Sequence, residues 1–455
     1  MRRRSLYTLM TTLLLGAVML AGCGGANGGG NKSDSSGPVN SSAEGKSNTS
    51  ASTEQPKEVA IEYWQYEFPA KVELINELIK QFEQEHPHIK VKQTNFPYDQ
   101  YNQKVATLIP AGKGPDVINL YYGWLPKYVS SGYLQPLPES EFPAADIEEH
   151  FFPFVETARL GGKYYALPTG VRTLGLYYNK DLFTKAGLDP AKPPATWEEL
   201  VEYAKELTET DSKGQFVIEG FAWEPGSQLH HWFRDGLLYQ AGGQDTSEDR
   251  KRILWNESPA GLEAFKYLID FAKEHKVGIN GFYTDDANAF KTGHAAINVD
   301  GSYRLGSLRK DAPDLNYAIA PLPAYKNKST QASFWANAIP STVKDEKLAA
   351  ATEFLKFLTS KDVQEQWVDK IGELPAQKEV ALQDKYIQDE FLGAFIKQLP
   401  DGRAHFFIDE TQERTLFIEA VDQVLLTNVP IEKAFADLVA KTQKLYDDYW
   451  SKQGS

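Results

Sequence analysis

Cysteine is almost absent from this sequence. The 455 residues contain one, Cys23, and it precedes every segment with the hydrophobic patterning of a folded domain. The region that folds therefore has no disulfide, no thiolate metal site and no thiol nucleophile. We expect neither a metal nor a cofactor, and a fold that depends on its hydrophobic core alone.

An excess of positive charge is also missing. The chain has 48 Lys and Arg against 62 Asp and Glu, which gives a formal net charge of −14 at pH 7. Such an acidic surface repels the phosphates of nucleic acids and of anionic lipids. We therefore expect no nucleic-acid partner and no binding to a bare anionic membrane.

The chain starts with a short apolar run. Residues 2–4 are arginines, and the apolar stretch over about 6–21 that follows them is typical of a secretory signal and too short for a spanning helix. Leu20-Ala21-Gly22-Cys23 resembles the lipobox of bacterial lipoproteins. This resemblance implies that residues 1–22 are removed and that Cys23 is acylated, anchoring the protein to the extracytoplasmic face of the cell membrane. The alternative is an ordinary signal peptide with an incidental cysteine.

The segment after the apolar run is poor in apolar side chains. From Gly24 to about Pro56 it consists mainly of Gly, Ser, Asn, Ala and Thr. Such a composition cannot bury enough surface to offset the entropy of ordering the backbone. We interpret residues 23–56 as a disordered tether between the anchor and the folded region.

The remaining chain has the alternation of an α/β fold. Residues 59–63 alternate between apolar and polar as in a half-buried strand, residues 74–82 have helical apolar spacing, and a second strand follows Pro87. Strand, helix, strand is the signature of a parallel sheet. At about 100–200 residues per domain, the length fits two lobes. We expect a soluble monomer.

Further helices are predicted in the second half of the chain. Thr196 and Glu199 have the spacing of a capping box, which marks the start of a helix. The other predicted helices lie at about 259–275, 346–359, 388–399, 411–427 and 430–450.

Aromatic residues gather where strands end. The chain contains nine Trp and 23 Tyr. Ligands of open parallel sheets bind beyond the carboxyl ends of the strands, and aromatic faces there suit a sugar ring, while polar side chains bind its hydroxyls. For any single ring, core packing is the alternative. The rings in such positions are Trp64, Tyr66, Tyr121, Tyr122, Trp124, Trp223, Tyr303 and Trp335.

Seven short motifs follow one another in a characteristic order. They are GPDV (114–117), GKYYALP (162–168), LYYNKDLF (176–183), TWEEL (196–200), FKTGHAA (290–296), PLP (321–323) and GELP (372–375). Their order resembles that of the extracellular solute-binding proteins of bacterial ABC importers, the sugar-binding kind that includes maltodextrin-binding protein. Each motif is weakly specific, but their order over nearly all of the chain after the tether is highly specific.

The resemblance implies the two-lobe α/β fold of periplasmic binding proteins, with three hinge crossings and a ligand cleft between the lobes. We place the crossings near 171–175, 318–323 and 371–375. The first lobe then comprises 57–172 plus 319–372, and the second 173–318 plus 373–455. The implied function is a receptor without catalytic activity that captures a carbohydrate, an oligosaccharide by this resemblance, and delivers it to the transmembrane subunits of a permease.

Family roles can be carried over to individual positions. Tyr303 stands where the family often has a stacking aromatic after Asp/Asn-Gly. Arg172 stands where maltodextrin binders tend to have an acidic hydroxyl acceptor, and since a guanidinium only donates, this favours a ligand with an acceptor such as a carboxylate or a ring oxygen. Pairing of Arg172 with a protein carboxylate is the alternative. The predicted ligand-binding residues are Trp64, Gln65, Tyr66, Tyr121, Tyr122, Trp124, Arg172, Trp223, His231, Asp300, Tyr303, Trp335 and Asn337.

Two kinds of cluster are compatible with other functions. His230 and His231 are adjacent, so their side chains diverge and do not suit one metal; sugar contact by one of them or a structural role is favoured. Asp285-Asp286 and Asp409-Glu410 supply carboxylates for a glycosidase, which needs a pair about 5–10 Å apart across a cleft. The alternative function is therefore a surface polysaccharide-active hydrolase.

Within the transport class, a glycerophosphodiester ligand is less favoured because no cluster of basic residues is evident.

Overall fold

The structure, a computed structural model, describes residues 57–226 and 228–453, with every side chain in them except those of Asp99, residues 228–232 and Gln453. The predicted leader, the predicted acylation site Cys23 and the predicted tether lie outside these residues. The described chain is a mixed α/β structure with a long, continuous sheet. Among the described helices, none combines the length and the hydropathy that crossing a bilayer requires.

Strands and helices alternate along most of the chain. The strands are β1 (Val59–Tyr66), β2 (Ile89–Phe96), β3 (Val117–Tyr121), β4 (Arg159–Leu160), β5 (Lys163–Tyr164), β6 (Ala166–Asn179), β7 (Glu209–Thr210), β8 (Phe216–Phe221), β9 (Ala295–Gly301), β10 (Tyr317–Ala320), β11 (Thr330–Ala338), β12 (Leu374–Pro375) and β13 (Gly402–Arg403). Short 3₁₀ helices span Tyr122–Trp124, Pro153–Ala158 and Leu399–Asp401.

The α-helices cover both halves of the chain. They are α1 (Pro69–Glu85), α2 (Tyr98–Leu108), α3 (Leu125–Ser130), α4 (Ala144–His150), α5 (Lys180–Lys185), α6 (Trp197–Leu207), α7 (Gln228–Gln240), α8 (Ala260–Lys273), α9 (Asp286–Lys291), α10 (Arg304–Asp311), α11 (Asp345–Leu358), α12 (Lys361–Ile371), α13 (Lys378–Ala381), α14 (Asp384–Ile387), α15 (Leu392–Ile396), α16 (Glu410–Leu425) and α17 (Ile431–Gln453).

The first sheet segment consists of β2, β1, β3, β11 and residues 166–173 of β6, in that order. β1 pairs in parallel with β2 and β3, as the strand–helix–strand pattern predicts, and β11 runs antiparallel to β3 and β6. The predicted apolar face of α1, from Leu74 to Phe82, is buried. All five residues of β3 are buried, which is typical of a strand covered on both faces.

The long strand β6 changes partners half-way along its length. Residues 166–173 pair with β11, whereas residues 174–179 pair with β9 and β10. β9 pairs in turn with β8, and β8 with β7. These strands and residues 174–179 of β6 form the second sheet segment. The change of partners lies within the predicted first crossing, 171–175.

Residues 317–326 span the second predicted crossing and contact the strands and helices of the second half of the fold. β10 pairs with the second half of β6, Tyr325 stacks on Trp197 of α6 at 4.6 Å, and Lys326 forms an ion pair with Glu263 of α8 at 2.6 Å. Residues 319–326, which the sequence analysis assigns to the first lobe, therefore pack with the second sheet segment. The position of the second crossing itself stays a prediction.

Most predicted helices are present within the described residues. The capping box forms: the Thr196 hydroxyl accepts from the backbone N–H of Glu199 at 3.2 Å, and the Glu199 carboxylate accepts from that of Thr196 at 3.3 Å. The helix predicted at 388–399 is wrong in extent, because only Leu392–Ile396 (α15) of that range is α-helical and the preceding helix α14 ends at Ile387. The Asp389 carboxylate accepts from the N–H groups of Phe391 and Leu392 and so starts a new turn there.

Candidate functional site

Aromatic side chains converge where the strands of the first sheet segment end. Tyr66 is the last residue of β1 and Tyr121 the last of β3, while Trp335 of β11 lies directly opposite Tyr121 in the ladder. The ring centroid of Trp335 is 4.2 Å from that of Tyr66, 5.9 Å from that of Tyr121 and 5.4 Å from that of Trp124. The structure thus brings four of the predicted rings together, and we call them the aromatic wall.

Tyr98, the first residue of α2, extends this wall. Its ring is 5.5 Å from Tyr66 and 6.2 Å from Trp335, and it is 52% exposed. Desolvation raises the pKa of Tyr98; Arg172 and Arg414 oppose this shift and Glu410 reinforces it. Charged groups from several parts of the chain therefore influence the Tyr98 hydroxyl electrostatically. The sequence analysis missed Tyr98, although it follows the end of β2 by two residues.

Arg172 lies beside the aromatic wall. Its Nη2 donates to the Tyr66 hydroxyl at 2.9 Å, and its guanidinium lies over the Tyr303 ring at 4.8 Å. Its Nε donates to Glu373 at 2.6 Å. The pairing with a protein carboxylate that the sequence analysis gave as an alternative is thus present, and Arg172 contacts two predicted ligand-binding tyrosines as well.

Glu373 connects this arginine to a buried lysine. Its Oε1 also accepts from Lys71 Nζ at 2.9 Å, and its Oε2 accepts from the Trp367 indole N–H at 2.8 Å. Burial opposes ionisation of Glu373, but Arg172 and Lys71 outweigh it and lower its pKa to about 2. Glu373 belongs to the GELP motif, yet the sequence did not indicate its cationic partners, since Arg172 and Lys71 are more than 200 residues away.

Tyr303 is held by the turn that follows β9. A Cβ on Gly301 would lie 2.2 Å from the Tyr303 ring, so the ring packs directly on the glycine backbone. Asp300 accepts from the N–H of Gly301 at 2.7 Å and from Arg304 Nε at 2.5 Å. The half-buried Tyr303 is thereby fixed beside Arg172, on the side contributed by the second sheet segment.

Other predicted ligand residues are engaged in packing. Trp64 is buried against Phe96 at 4.9 Å, and the Trp223 indole N–H donates to the Leu268 carbonyl at 2.8 Å. Tyr122 stacks on Phe334 at 4.9 Å. Tyr122 also packs on Tyr121 of the aromatic wall, at 4.9 Å between the ring centroids.

The predicted polar residues of the first sheet segment are also buried. Gln65 donates to Gln93 of the neighbouring strand. Asn337 accepts from Asn119 at 3.0 Å and donates to Thr169 at 3.0 Å. The side chain of His231 lies outside the described side chains.

A cavity of about 260 Å³ lies beside Trp124. Its other side is formed by the start of α16, where Asp409 and Glu410 lie, and Lys127 approaches Asp409 at 3.4 Å. Asp409 and Asp285 cap helices α16 and α9, so one carboxylate of each acidic pair predicted for the hydrolase alternative has a local structural role. Among the described residues, no group of three or more His, Cys, Asp and Glu side chains could hold a metal ion.

The family of the chain follows from a comparison with known sequences. Residues 77–394 match the model of the family described as bacterial extracellular solute-binding protein. The chain belongs to this family. Its members, and the similar structures below, are binding proteins.

Similar proteins are known from several bacteria. The sn-glycerol-3-phosphate-binding periplasmic protein UgpB of Brucella melitensis is 27% identical over 336 residues, covering 69% of this chain and 74% of that protein. An ABC transporter solute-binding protein of Thermotoga lettingae, bound to α-D-tagatose, is 28% identical with a TM-score of 0.72, covering 85% of this chain and 99% of that one. The GacH receptor of Streptomyces glaucescens, solved with acarbose, is 25% identical with a TM-score of 0.71, covering 86% and 99%.

The predicted family and fold class are thereby confirmed. The solute-binding protein has the two-lobe α/β fold of sugar-binding proteins from ABC transporters. Its class is that of an extracytoplasmic receptor of an ABC importer. The lobe boundaries and the ligand-binding residues stay predictions.

Proposed function

We propose that this solute-binding protein captures a carbohydrate between the aromatic wall and the Arg172–Tyr303 pair. The observation that carries the proposal is that rings from both sheet segments meet at Arg172: its Nη2 donates to the hydroxyl of Tyr66 in the first segment at 2.9 Å, and its guanidinium lies 4.8 Å from the ring of Tyr303, which follows β9 of the second segment. Flat rings pack on the C–H faces of sugars, and guanidinium, phenol and carboxylate groups bind hydroxyls. The tagatose and acarbose complexes of similar receptors support this ligand class.

Closure of the two lobes would enclose the ligand. We propose connections at 171–175, at about 329–333 and at 371–375, where β6, β11 and β12 lie side by side. The first lobe then comprises 57–172 and about 331–372, and the second lobe the rest of the folded chain. A ligand that contacts both lobes stabilises the closed form, which a permease can recognise.

We further propose that the protein is a monomeric lipoprotein without enzymatic activity. Acylation of Cys23 and the tether over 23–56 would keep the receptor at the membrane, near the transmembrane subunits of its permease. Delivery of the ligand to a permease requires no bond cleavage, so the protein should release the ligand chemically unchanged.

A thermal-shift screen of oligosaccharides, followed by chromatography of the incubated ligand, tests the function. Binding at 100 times the Kd should stabilise the protein by about 2.7 kcal/mol. The expected result is stabilisation by at least one saccharide that is recovered unchanged. Release of shorter saccharides would refute the receptor function and favour the hydrolase. The control is the same saccharide incubated without protein.

A further inference from the structure

Beside the aromatic wall, buried positive charges outnumber buried negative charges. Lys71 and Arg172 both pair with the single carboxylate of Glu373, at 2.9 Å and 2.6 Å. The side chains are 1%, 13% and 4% exposed, respectively. Two cations and one anion therefore share one water-poor position, and among the described side chains no second carboxylate pairs with either cation.

The other arginines on this side of the molecule are balanced. Arg304 pairs with Asp300 at 2.5 Å, and Arg414 approaches Glu410 at 3.9 Å. Each of these pairs joins one cation to one carboxylate. The excess positive charge is thus specific to the group formed by Lys71, Arg172 and Glu373, which we call the hinge triad because Arg172 and Glu373 lie on β6 and directly before β12.

Of the two cations, only Arg172 can reach a ligand. Lys71 is enclosed by rings, with Nζ 5.2 Å from the centroid of Tyr66 and 5.4 Å from that of Trp367. Arg172 uses Nε for Glu373 and Nη2 for Glu373 and Tyr66. Its Nη1 has no hydrogen-bond partner among the described residues, and the Arg172 side chain keeps 13% of its surface exposed.

We propose that the ligand of this receptor carries a negatively charged group, a carboxylate or a phosphate, which Arg172 binds through Nη1 beside Tyr303. The inference rests on the proposed function, since it specifies the class of ligand for the same cleft. A buried charge without a counterion is costly, and closure over a neutral ligand would remove remaining water from the hinge triad without supplying one. An anionic group would supply the missing charge and a charge-assisted hydrogen bond.

Matched ligand pairs test this inference by isothermal titration calorimetry. Digalacturonate and galactobiose, and a glucuronate-containing disaccharide and cellobiose, form carboxylate and neutral pairs; glycerol 3-phosphate and glycerol form the phosphate pair. We expect the anionic member of a pair to bind at least tenfold more tightly. Weaker binding at high salt should accompany this preference.

The outcomes separate this inference from the proposed function. Equal or tighter binding of a neutral saccharide overturns the anionic ligand and leaves carbohydrate capture standing. Binding of glycerol 3-phosphate with no saccharide bound supports the anionic ligand and refutes carbohydrate capture. Absence of binding by every member of the panel counts against both.

An Arg172→Gln variant gives a second test. Removing Arg172 leaves Lys71 and Glu373 as a balanced pair, so the variant should fold, and its melting temperature checks this. We expect the preference for the anionic member to fall from at least tenfold to about onefold. Lys370→Gln is the matched control: it removes one charge from α12, where Lys370 pairs with Glu77 at 2.5 Å, and should leave the preference unchanged. A preference that persists in Arg172→Gln overturns the inference.

Discussion

Single side chains at the strand ends have different roles even where the sequence treats them alike. Tyr303 is half-buried with one face towards Arg172, whereas Trp64 is buried against Phe96. Truncation of a ring at the site removes ligand contact, while truncation of a core ring leaves a cavity. The two substitutions should therefore affect different measurements.

Tyr303→Ala should weaken ligand binding by about 1–4 kcal/mol and change the free energy of unfolding little. Trp64→Ala should instead lower the free energy of unfolding by about 3–5 kcal/mol. Calorimetric titration with the ligand found in the screen and urea unfolding separate the effects. Loss of stability with unchanged affinity in Tyr303→Ala would contradict its placement at the site.

His405 forms a buried ion-pair cluster with two carboxylates. Its Nδ1 lies 2.6 Å from Asp245 and its Nε2 2.7 Å from Glu413, with the ring fully buried. Burial opposes protonation, but Asp245 and Glu413 outweigh it and raise the pKa of His405 well above its ordinary value. The imidazolium therefore connects Glu413, near the start of α16 and the cavity beside Trp124, to Asp245 in the loop after α7.

His405→Gln should lower the free energy of unfolding by about 3–5 kcal/mol at pH 6, because two buried carboxylates lose their cation. The pKa of His405 is higher in the folded than in the unfolded protein, so protonation of this ring contributes to the free energy of unfolding. That contribution is complete below about pH 6.5 and declines by about 1.4 kcal/mol per pH unit above it, until the pH reaches the pKa of the folded state. Urea unfolding at pH 5.5, 7 and 8.5 measures the decline. The exposed His150→Gln is the control, and a pH-independent difference between wild type and His405→Gln would contradict the assignment.

At the scale of elements, local signals that involve neighbouring residues proved reliable. The capping box at the start of α6 satisfies backbone N–H groups that would otherwise lack partners. The helix buries Trp197, Leu200, Ala204 and Leu207 against the second sheet segment. Its start is thus fixed by sequence, and its position by packing.

Thr196→Ala should destabilise the protein by about 0.5–2 kcal/mol through loss of this cap. Thr415→Ala, at an exposed position within α16, should change stability by less than about 0.5 kcal/mol. Thermal unfolding of both variants beside wild type makes the comparison. Equal effects would show that the cap contributes nothing specific.

The hinge strand β6 has a glycine where a tryptophan approaches it. A Cβ on Gly170 would lie 2.8 Å from the Trp367 ring, which donates to Glu373 of the hinge triad. Space at Gly170 therefore helps to position the carboxylate that pairs with Arg172.

Gly170→Ala should displace Trp367, destabilise the protein by about 1–3 kcal/mol and weaken ligand binding. Gly306→Ala in α10, where a Cβ would meet no atom within 4 Å, should be neutral or stabilise by up to about 1 kcal/mol. Calorimetric unfolding and ligand titration of both variants test this. Unchanged affinity in Gly170→Ala would indicate that the Trp367–Glu373 contact does not affect the site.

For the whole molecule, the arrangement of two sheet segments on one long strand predicts hinge motion. Among the described strands, only β6 pairs with strands of both segments: with β11 of the first and with β9 of the second. Rotation near residues 171–175 can change the distance between the aromatic wall and Tyr303 while leaving each segment intact.

Saturating ligand should therefore decrease the radius of gyration measured by small-angle X-ray scattering. The Trp335→Ala variant, which should bind about 10–1000-fold more weakly, is the control at the same ligand concentration. A radius that is identical with and without bound ligand in the wild type would refute closure.

The α/β class, the family, most helices and the positions of the aromatic residues at strand ends can be predicted from the sequence, because these depend on residues close together in the chain. Which rings form the wall, that residues 319–326 pack with the second segment, and that Glu373 joins Lys71 to Arg172 are visible only in the folded chain. Trp64 and Tyr66 are two residues apart on one strand, and their environments differ through contacts with distant segments. Partners separated by 200 or more residues leave no local pattern, so the hinge triad could be found only once the chain was folded.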